Sequence, residues 1–171
     1  ARIELAALGE VWDCRLEAVA APASVRVSRP VGQDGRGELA LCTADGALDV
    51  LQYALRGWLV ERMLAAAAPQ LAQLALVMDC HYARLQVRQQ RTRWGSCSTR
   101  GTISLNSCLL FQRPEVFRYL LVHELSHLRH MHHGPRFWAH VARFAPDCRE
   151  LDRELGKGWQ RVPHWALRYR K

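Results

Sequence analysis

"VHELSHLRHMHHG", residues 122–134, holds five of the chain's eight histidines: His123, His127, His130, His132 and His133. On a helix, residues four apart lie one above the other on one face. His123 and His127 have that spacing, and Glu124 follows the first. The pattern H-E-x-x-H lets two imidazoles grip one metal ion, with the glutamate as general base on a metal-bound water. The flanking residues support a helix. Pro114 suits a first helical position, Glu115 lies near the positive end of the dipole, and Phe117, Leu121, Leu125 and Leu128 form one apolar stripe. Glu124 then projects between the histidine edge and that stripe. An unpaired carboxylate is costly there, and a metal-bound water explains it.

A catalytic zinc site takes three protein ligands and keeps a fourth position open. His130 points to a similar side but sits ~10 Å up the axis from His123, too far for one ion on a straight helix. A chain that leaves the helix and folds back serves better. Gly134 and Pro135 supply the expected break, so His132 or His133 swings to the metal. Spacing favours His133. Counted from His123, positions 1, 5 and 11 are then histidine, the interval of the metzincin pattern, although that pattern has glycine where His130 stands. One Zn2+ per chain is expected on His123, His127 and His133. His81, His140 and His164 are assigned to structure.

Upstream, "TRWGSCS-TRG-TISLN" reads as a hairpin with Gly101 in its turn, and "RLQVRQQ" as a strand. Residues 46–67 carry apolar residues at helical spacing, with Asp45 as a plausible N-cap. Residues 2–45 alternate as short strands around a "GQDGRG" turn. Downstream, "GPRFWAHVARFA" restarts a helix, and Asp147 with Glu150 forms a capping-box pattern ahead of a last helix that Gly156 stops. The expected division is an N-terminal β-strand region, 1–45, and a catalytic domain, 46–171.

The chain has 171 residues, 49% of them hydrophobic, which suits one domain with room for a small lobe. It has no run of ~18 apolar residues, so no membrane span is expected; "MLAAAAPQLAQLAL" is interrupted by Pro69. No secretory pattern opens it, and its start at Ala1 rather than Met leaves room for residues upstream. The six cysteines are scattered without a C-x-x-C pair, which argues against a cysteine zinc site and for free thiols in a reducing cytoplasm. Charge is uneven. Residues 1–83 carry 7 arginines and 10 acids, net −3, whereas residues 84–171 carry 17 Arg and Lys and 6 acids, net +11. A positive field of that kind steers anionic partners.

Three stretches together, "RTRWGSCSTRGTISLN" (91–106), "YLLVHELSHLRHMHHGPRFW" (119–138) and "APD" (145–147), resemble the YgjP-like family of zincin metallopeptidases, relatives of the SprT-type proteins. The resemblance covers residues 46–165. It implies an α+β zincin-like domain, its H-E-x-x-H helix packed on a small, mostly antiparallel sheet, with an N-terminal β portion ahead of it. It also implies His133 as third ligand. That family usually has asparagine at the place of His132, which makes His132 dispensable.

Zincins use an edge strand as the cleft rim, and an extended peptide adds to it. Arg91, Arg93, Trp94, Gly95 and Ser96 are therefore candidate substrate contacts. Gly95 would let a substrate backbone come close, and Arg91 and Arg93, two apart, would share one face as an anion clamp. Trp94 reads more naturally as a buried side chain, and Cys97 as packing. The expected function is a zinc-dependent hydrolase, a metallopeptidase using a zinc-bound water activated by Glu124, with peptide or protein substrate. Two alternatives stand beside it: hydrolysis of a phosphate ester or anhydride such as a nucleoside triphosphate, suggested by the arginines, and a nucleic-acid-associated protease or binding module. Substrate identity, oligomeric state and the oxyanion-stabilising residue are not set by the sequence; Tyr119, one turn before His123, has no assigned role.

Overall fold

The computed structural model describes residues 1–20, 22–44 and 48–167. Strands β1 (Arg2–Leu5), β2 (Glu10–Ala18), β3 (Ser24–Arg29) and β4 (Arg36–Thr43) form one sheet in the order β1-β2-β4-β3. Its central pair, β2 and β4, is parallel and its two outer pairs are antiparallel. Alternation puts Trp12 and Cys14 on the buried face, and Leu39 and Leu41 join them from β4. Asp45, expected to cap the next helix, lies outside the described residues.

Helix α1 runs over Leu48–Val77, ten residues beyond the expected end at 67. Pro69 does not stop it. A helical proline forfeits one backbone hydrogen bond and crowds the preceding turn, at a cost of ~3 kcal/mol. Here Pro69 and Ala65, whose carbonyl loses its partner, are both exposed, so the lost bond lies on the solvent side of the helix. The buried stripe Met63, Ala66, Ala67, Leu71, Leu74 and Ala75 continues past the proline and offsets the cost. Trp58 meets Trp12 edge-on at 5.3 Å, and Arg62 pairs with the buried Glu10, which also accepts from the Trp12 indole at 3.0 Å. These contacts fix α1 against the first sheet.

Strands β5 (Arg84–Arg88), β6 (Gly95–Cys97) and β7 (Thr102–Asn106) form the second sheet, in the order β5-β7-β6. β6 and β7 are the expected hairpin, with Gly101 at φ +76° in the turn. β5 pairs with β7 in parallel, so this sheet is mixed rather than mostly antiparallel. The reason is connectivity: β6 intervenes in the chain and lies on the far side of β7, so no tight turn joins β5 to β7. Helix α2 (Pro114–Ser126) begins at its proline and buries Phe117, Leu121 and Leu125. Helices α3 (Pro135–Phe144) and α4 (Cys148–Gly156) follow. The expected capping box at α4 does not form: the Asp147 side chain makes no cap hydrogen bond, and its backbone has left the extended conformation that capping requires. One apolar core runs from Ile3 to Ala166 through both sheets.

Candidate metal centre

α2 stops at Ser126, eight residues before the expected break at Gly134. The Ser126 hydroxyl bonds back to the Val122 carbonyl at 2.8 Å, and the next amides close tight turns onto Leu125 and Ser126. Hydroxyls that bond back onto their own helix compete with its ladder. His127 is therefore the cap residue of α2, and residues 128–134 form the return that carries His133 to the helix face.

The three expected ligands meet. His133 Nε2 stands 3.1 Å from His123 Nε2 and 3.0 Å from His127 Nε2. Four ligands about 2.0–2.1 Å from a zinc ion stand about 3.3–3.4 Å apart in a tetrahedron, so this spacing is within a few tenths of an ångström of that edge. Phe137 from α3 packs against all three rings, at 4.6–4.9 Å between centroids. Two rings are also held from behind. His127 Nδ1 lies 3.1 Å from the His130 carbonyl, and His123 Nδ1 lies 3.0 Å from the Tyr119 hydroxyl. Each outward contact leaves an Nε2 lone pair facing inward. A proton on His133 Nε2 would serve one of those lone pairs well, whereas a cation serves all three nitrogens. Burial and the two neighbouring imidazoles push His123 down to about 3, so its ring is neutral at ordinary pH. Neutral imidazole is the form that ligates metal. The residues fit zinc.

Glu124 is 3% exposed, and its Oε2 has no hydrogen-bond partner. Burial raises its carboxyl to about 8. It lies against the rim strand, and a β-carbon placed on Gly95 would stand 2.7 Å from Oε1. The close neighbour that Gly95 accommodates is thus Glu124, not the substrate backbone that the sequence suggested. Gly95, Ser96 and Cys97 line a depression of about 280 Å³ together with Arg93, Met131, Glu124 and the three histidines. Side chains alternate along a strand, so three successive residues border one cavity only when the strand's edge faces it. β6 is an edge of its sheet.

Arg91 and Arg93 do not follow one another along a strand face. The backbone bends at residues 91 and 92, so the period-two rule of a strand does not apply. Arg93 borders the histidine site, whereas Arg91 borders a separate cavity with Trp159 and Leu167. Trp94 is buried and stacked on Trp159, with centroids 4.0 Å apart, so it supports the rim from behind. Burial, with Glu124 nearby, raises the Cys97 thiol to about 11, which fits packing rather than reactivity. His132 is exposed, and His130 contributes its carbonyl rather than its ring.

Two side chains were given no role by the sequence reading. Tyr119 lies four residues before His123 on the same helix face, a spacing that could have placed it. Asn106 donates to the carbonyls of Gln90 at 2.7 Å and Arg93 at 2.9 Å and accepts from the Cys108 amide, so it pins the bend carrying Arg93. No local pattern announces those partners.

A profile of the YgjP-like metallopeptidase domain matches residues 8–157. The chain belongs to the YgjP-like metallopeptidase family. It is therefore a metal-dependent enzyme, a hydrolase with zinc as the implied ion and a peptide or protein as substrate. The crystal structure of the metallopeptidase zymogen of Pyrococcus abyssi abylysin matches 56% of this YgjP-like chain and 96% of its own, with TM-score 0.50 and 24% identity. That likeness concerns the fold. The metallopeptidase zymogen of Methanocaldococcus jannaschii jannalysin matches 54% of this chain and 95% of its own, with TM-score 0.47 and 16% identity. Curated proteins gave no match. No helix among the described residues of this YgjP-like metallopeptidase is long and apolar enough to cross a membrane.

Proposed function

We propose that this metallopeptidase holds one zinc ion per chain on His123, His127 and His133 and cleaves peptide bonds with Glu124 as general base. The observation that carries the reading is the convergence of three Nε2 atoms beside a buried carboxylate oxygen without a partner. Zinc held there supplies Lewis acidity: it lowers the pKa of water toward ~7 and polarises a carbonyl.

The chain's own residues do the rest. In its ionised form Glu124 would take a proton from the attacking water and deliver it to the leaving amine. Gly95 gives that carboxylate its place. The free edge of β6 offers backbone groups to an extended peptide, which orients the scissile carbonyl. Arg93, exposed and without an ion pair among the described residues, stands at the same depression and favours substrates with an acidic group near the cut. The phosphate-ester reading rested on the basic C-terminal half and on Arg91 and Arg93; of that pair, Arg93 borders this depression and Arg91 a different cavity. The catalytic unit is proposed to span residues 46–171, buttressed by the N-terminal sheet.

The test is cleavage of a mixed peptide library, read by mass spectrometry, with wild type, chelated and zinc-restored protein. Zinc-dependent cuts support the reading. Zinc loading without any cleavage, alongside release of phosphate from nucleotides, would replace it.

A further inference from the structure

The two ligands that are held from behind are held by unlike groups. His127 leans on a backbone carbonyl. His123 leans on a phenol, and that phenol leans on a carboxylate: the Tyr119 hydroxyl lies 3.0 Å from His123 Nδ1 and 2.8 Å from Asp152 Oδ1 on α4. A phenol has one proton to give, and an ionised carboxylate can only accept. The Tyr119 proton therefore lies toward Asp152, and the phenolic oxygen accepts from His123 Nδ1–H. The inward Nε2 of His123 is left with its lone pair.

We propose that Tyr119 and Asp152 are positioning residues that set the tautomer and orientation of His123, and through it the metal affinity of the centre. The proposal rests on the ligand set given above.

Where each group sits explains why the chain uses a relay. Tyr119 is 1% exposed, whereas Asp152, which reaches it from α4, is exposed. A carboxylate placed directly on His123 would have to be desolvated, at a cost of several kcal/mol per ion. With the phenol between them, only a neutral group is buried and the charge stays in water. Hydrogen bonds in a chain polarise one another, so the carboxylate still makes the imidazole a better donor to a cation. Partners of this kind typically change metal affinity about 10–100-fold. A Tyr119 that served only as core filling would leave His123 unaffected.

The experiment uses the full chain and zinc itself. Zinc affinity is measured by competition with a chromophoric chelator for wild type, Tyr119→Phe, Asp152→Asn and Asp152→Ala, and for Tyr119→Phe combined with Asp152→Ala. Histidine ring 15N shifts are recorded in the zinc-free proteins. Tyr119→Phe keeps the buried ring, and Asp152→Asn keeps an acceptor oxygen. The expected result is a ~10–100-fold loss of affinity for Tyr119→Phe and Asp152→Ala. Asp152→Asn should fall in between, and the double variant should be no worse than Tyr119→Phe. His123 should be the Nδ1–H tautomer in wild type and a mixture in Tyr119→Phe. Affinity of Tyr119→Phe within about twofold of wild type, or an Nε2–H tautomer at wild-type His123, overturns the relay while the ligand set stands. A wild-type chain that takes up no zinc sinks the ligand set, and the relay with it.

Discussion

Glu124 fills the space that a side chain at Gly95 would occupy: a β-carbon there would stand 2.7 Å from Oε1 and 3.0 Å from Cδ. The missing side chain of the rim strand is thus part of how the carboxylate is aimed. Gly95→Ala should push Glu124 off its line and lower kcat about tenfold or more, since ~1 Å of misplacement can cost ~10²-fold. Zinc content should not change. Steady-state kinetics with metal analysis decides it, and an unchanged kcat would mean the carboxylate has room to spare.

Glu124→Gln should keep zinc and fold and lose about 10²–10⁴-fold in kcat, because the amide matches the carboxylate in size but cannot take a proton. Full activity in this variant, on any peptide the wild type cuts, would remove Glu124 from the mechanism.

Alanine at His123, His127 or His133 should each abolish stoichiometric zinc. His132→Ala should retain it, because that ring is exposed and outside the cluster. His130→Ala should retain it as well, since the centre uses the His130 carbonyl, which alanine preserves. Elemental analysis after exhaustive dialysis reads all five. Zinc lost from His132→Ala and kept by His133→Ala would exchange the two assignments.

Glu154 joins three segments: it accepts from Arg113 at the start of α2, at 2.6 and 2.9 Å, and from Arg161 at 2.8 Å. The Arg113 hydrogen bonds, more than anything else, hold its carboxyl down at about 2. A depressed pKa means a contribution fully present above the unfolded carboxyl's range, near 4.5, and lost as pH falls through about 2. Solvent screening keeps it to about 1 kcal/mol. Glu154→Gln should therefore be less stable than wild type at pH ~7, with the gap narrowing below pH ~4.5. Urea denaturation across that range checks the sign, and a gap that widens in acid would contradict it.

Asn106 is 1% exposed and makes three hydrogen bonds. Asn106→Ala should cost about 2–3 kcal/mol, since buried partners are left unsatisfied. It should also raise KM more than it lowers kcat, because the bend carrying Arg93 loosens while Glu124 stays in place. An equal fall in both parameters would point to damage at the metal centre itself.

The histidine centre was legible because its parts are close in sequence. His123, Glu124 and His127 share one helical turn, and a return through His133 needs only a short excursion. The place where the helix ends was not legible, since it depends on Ser126 bonding to Val122, a choice that a hydroxyl makes from its rotamer. The shared face expected of Arg91 and Arg93 met a related obstacle. A two-residue period holds only inside a strand, and the chain bends at 91–92 because Asn106 pulls on Gln90 and Arg93. Asp152 is 33 residues from Tyr119, and nothing local in either segment names the other. Pro69 misled in the opposite direction: local propensity argued for a break, and a long buried stripe outweighed it.

The three histidines are unequally restrained, and the inequality bears on how metal comes and goes. His123 and His127 are braced at Nδ1, whereas His133 is exposed, sits on the return after α2, and among the described residues its Nδ1 has no hydrogen-bond partner. Under the proposed ligand set, His133 would be the least restrained of the three ligands. Any loosening of residues 128–134 would free His133 and would also withdraw the His130 carbonyl that braces His127, leaving His123 as the ligand held independently of the return. Release of the metal and the bracing of His127 would then be coupled through one short segment, while the brace on His123 comes from α2 and α4.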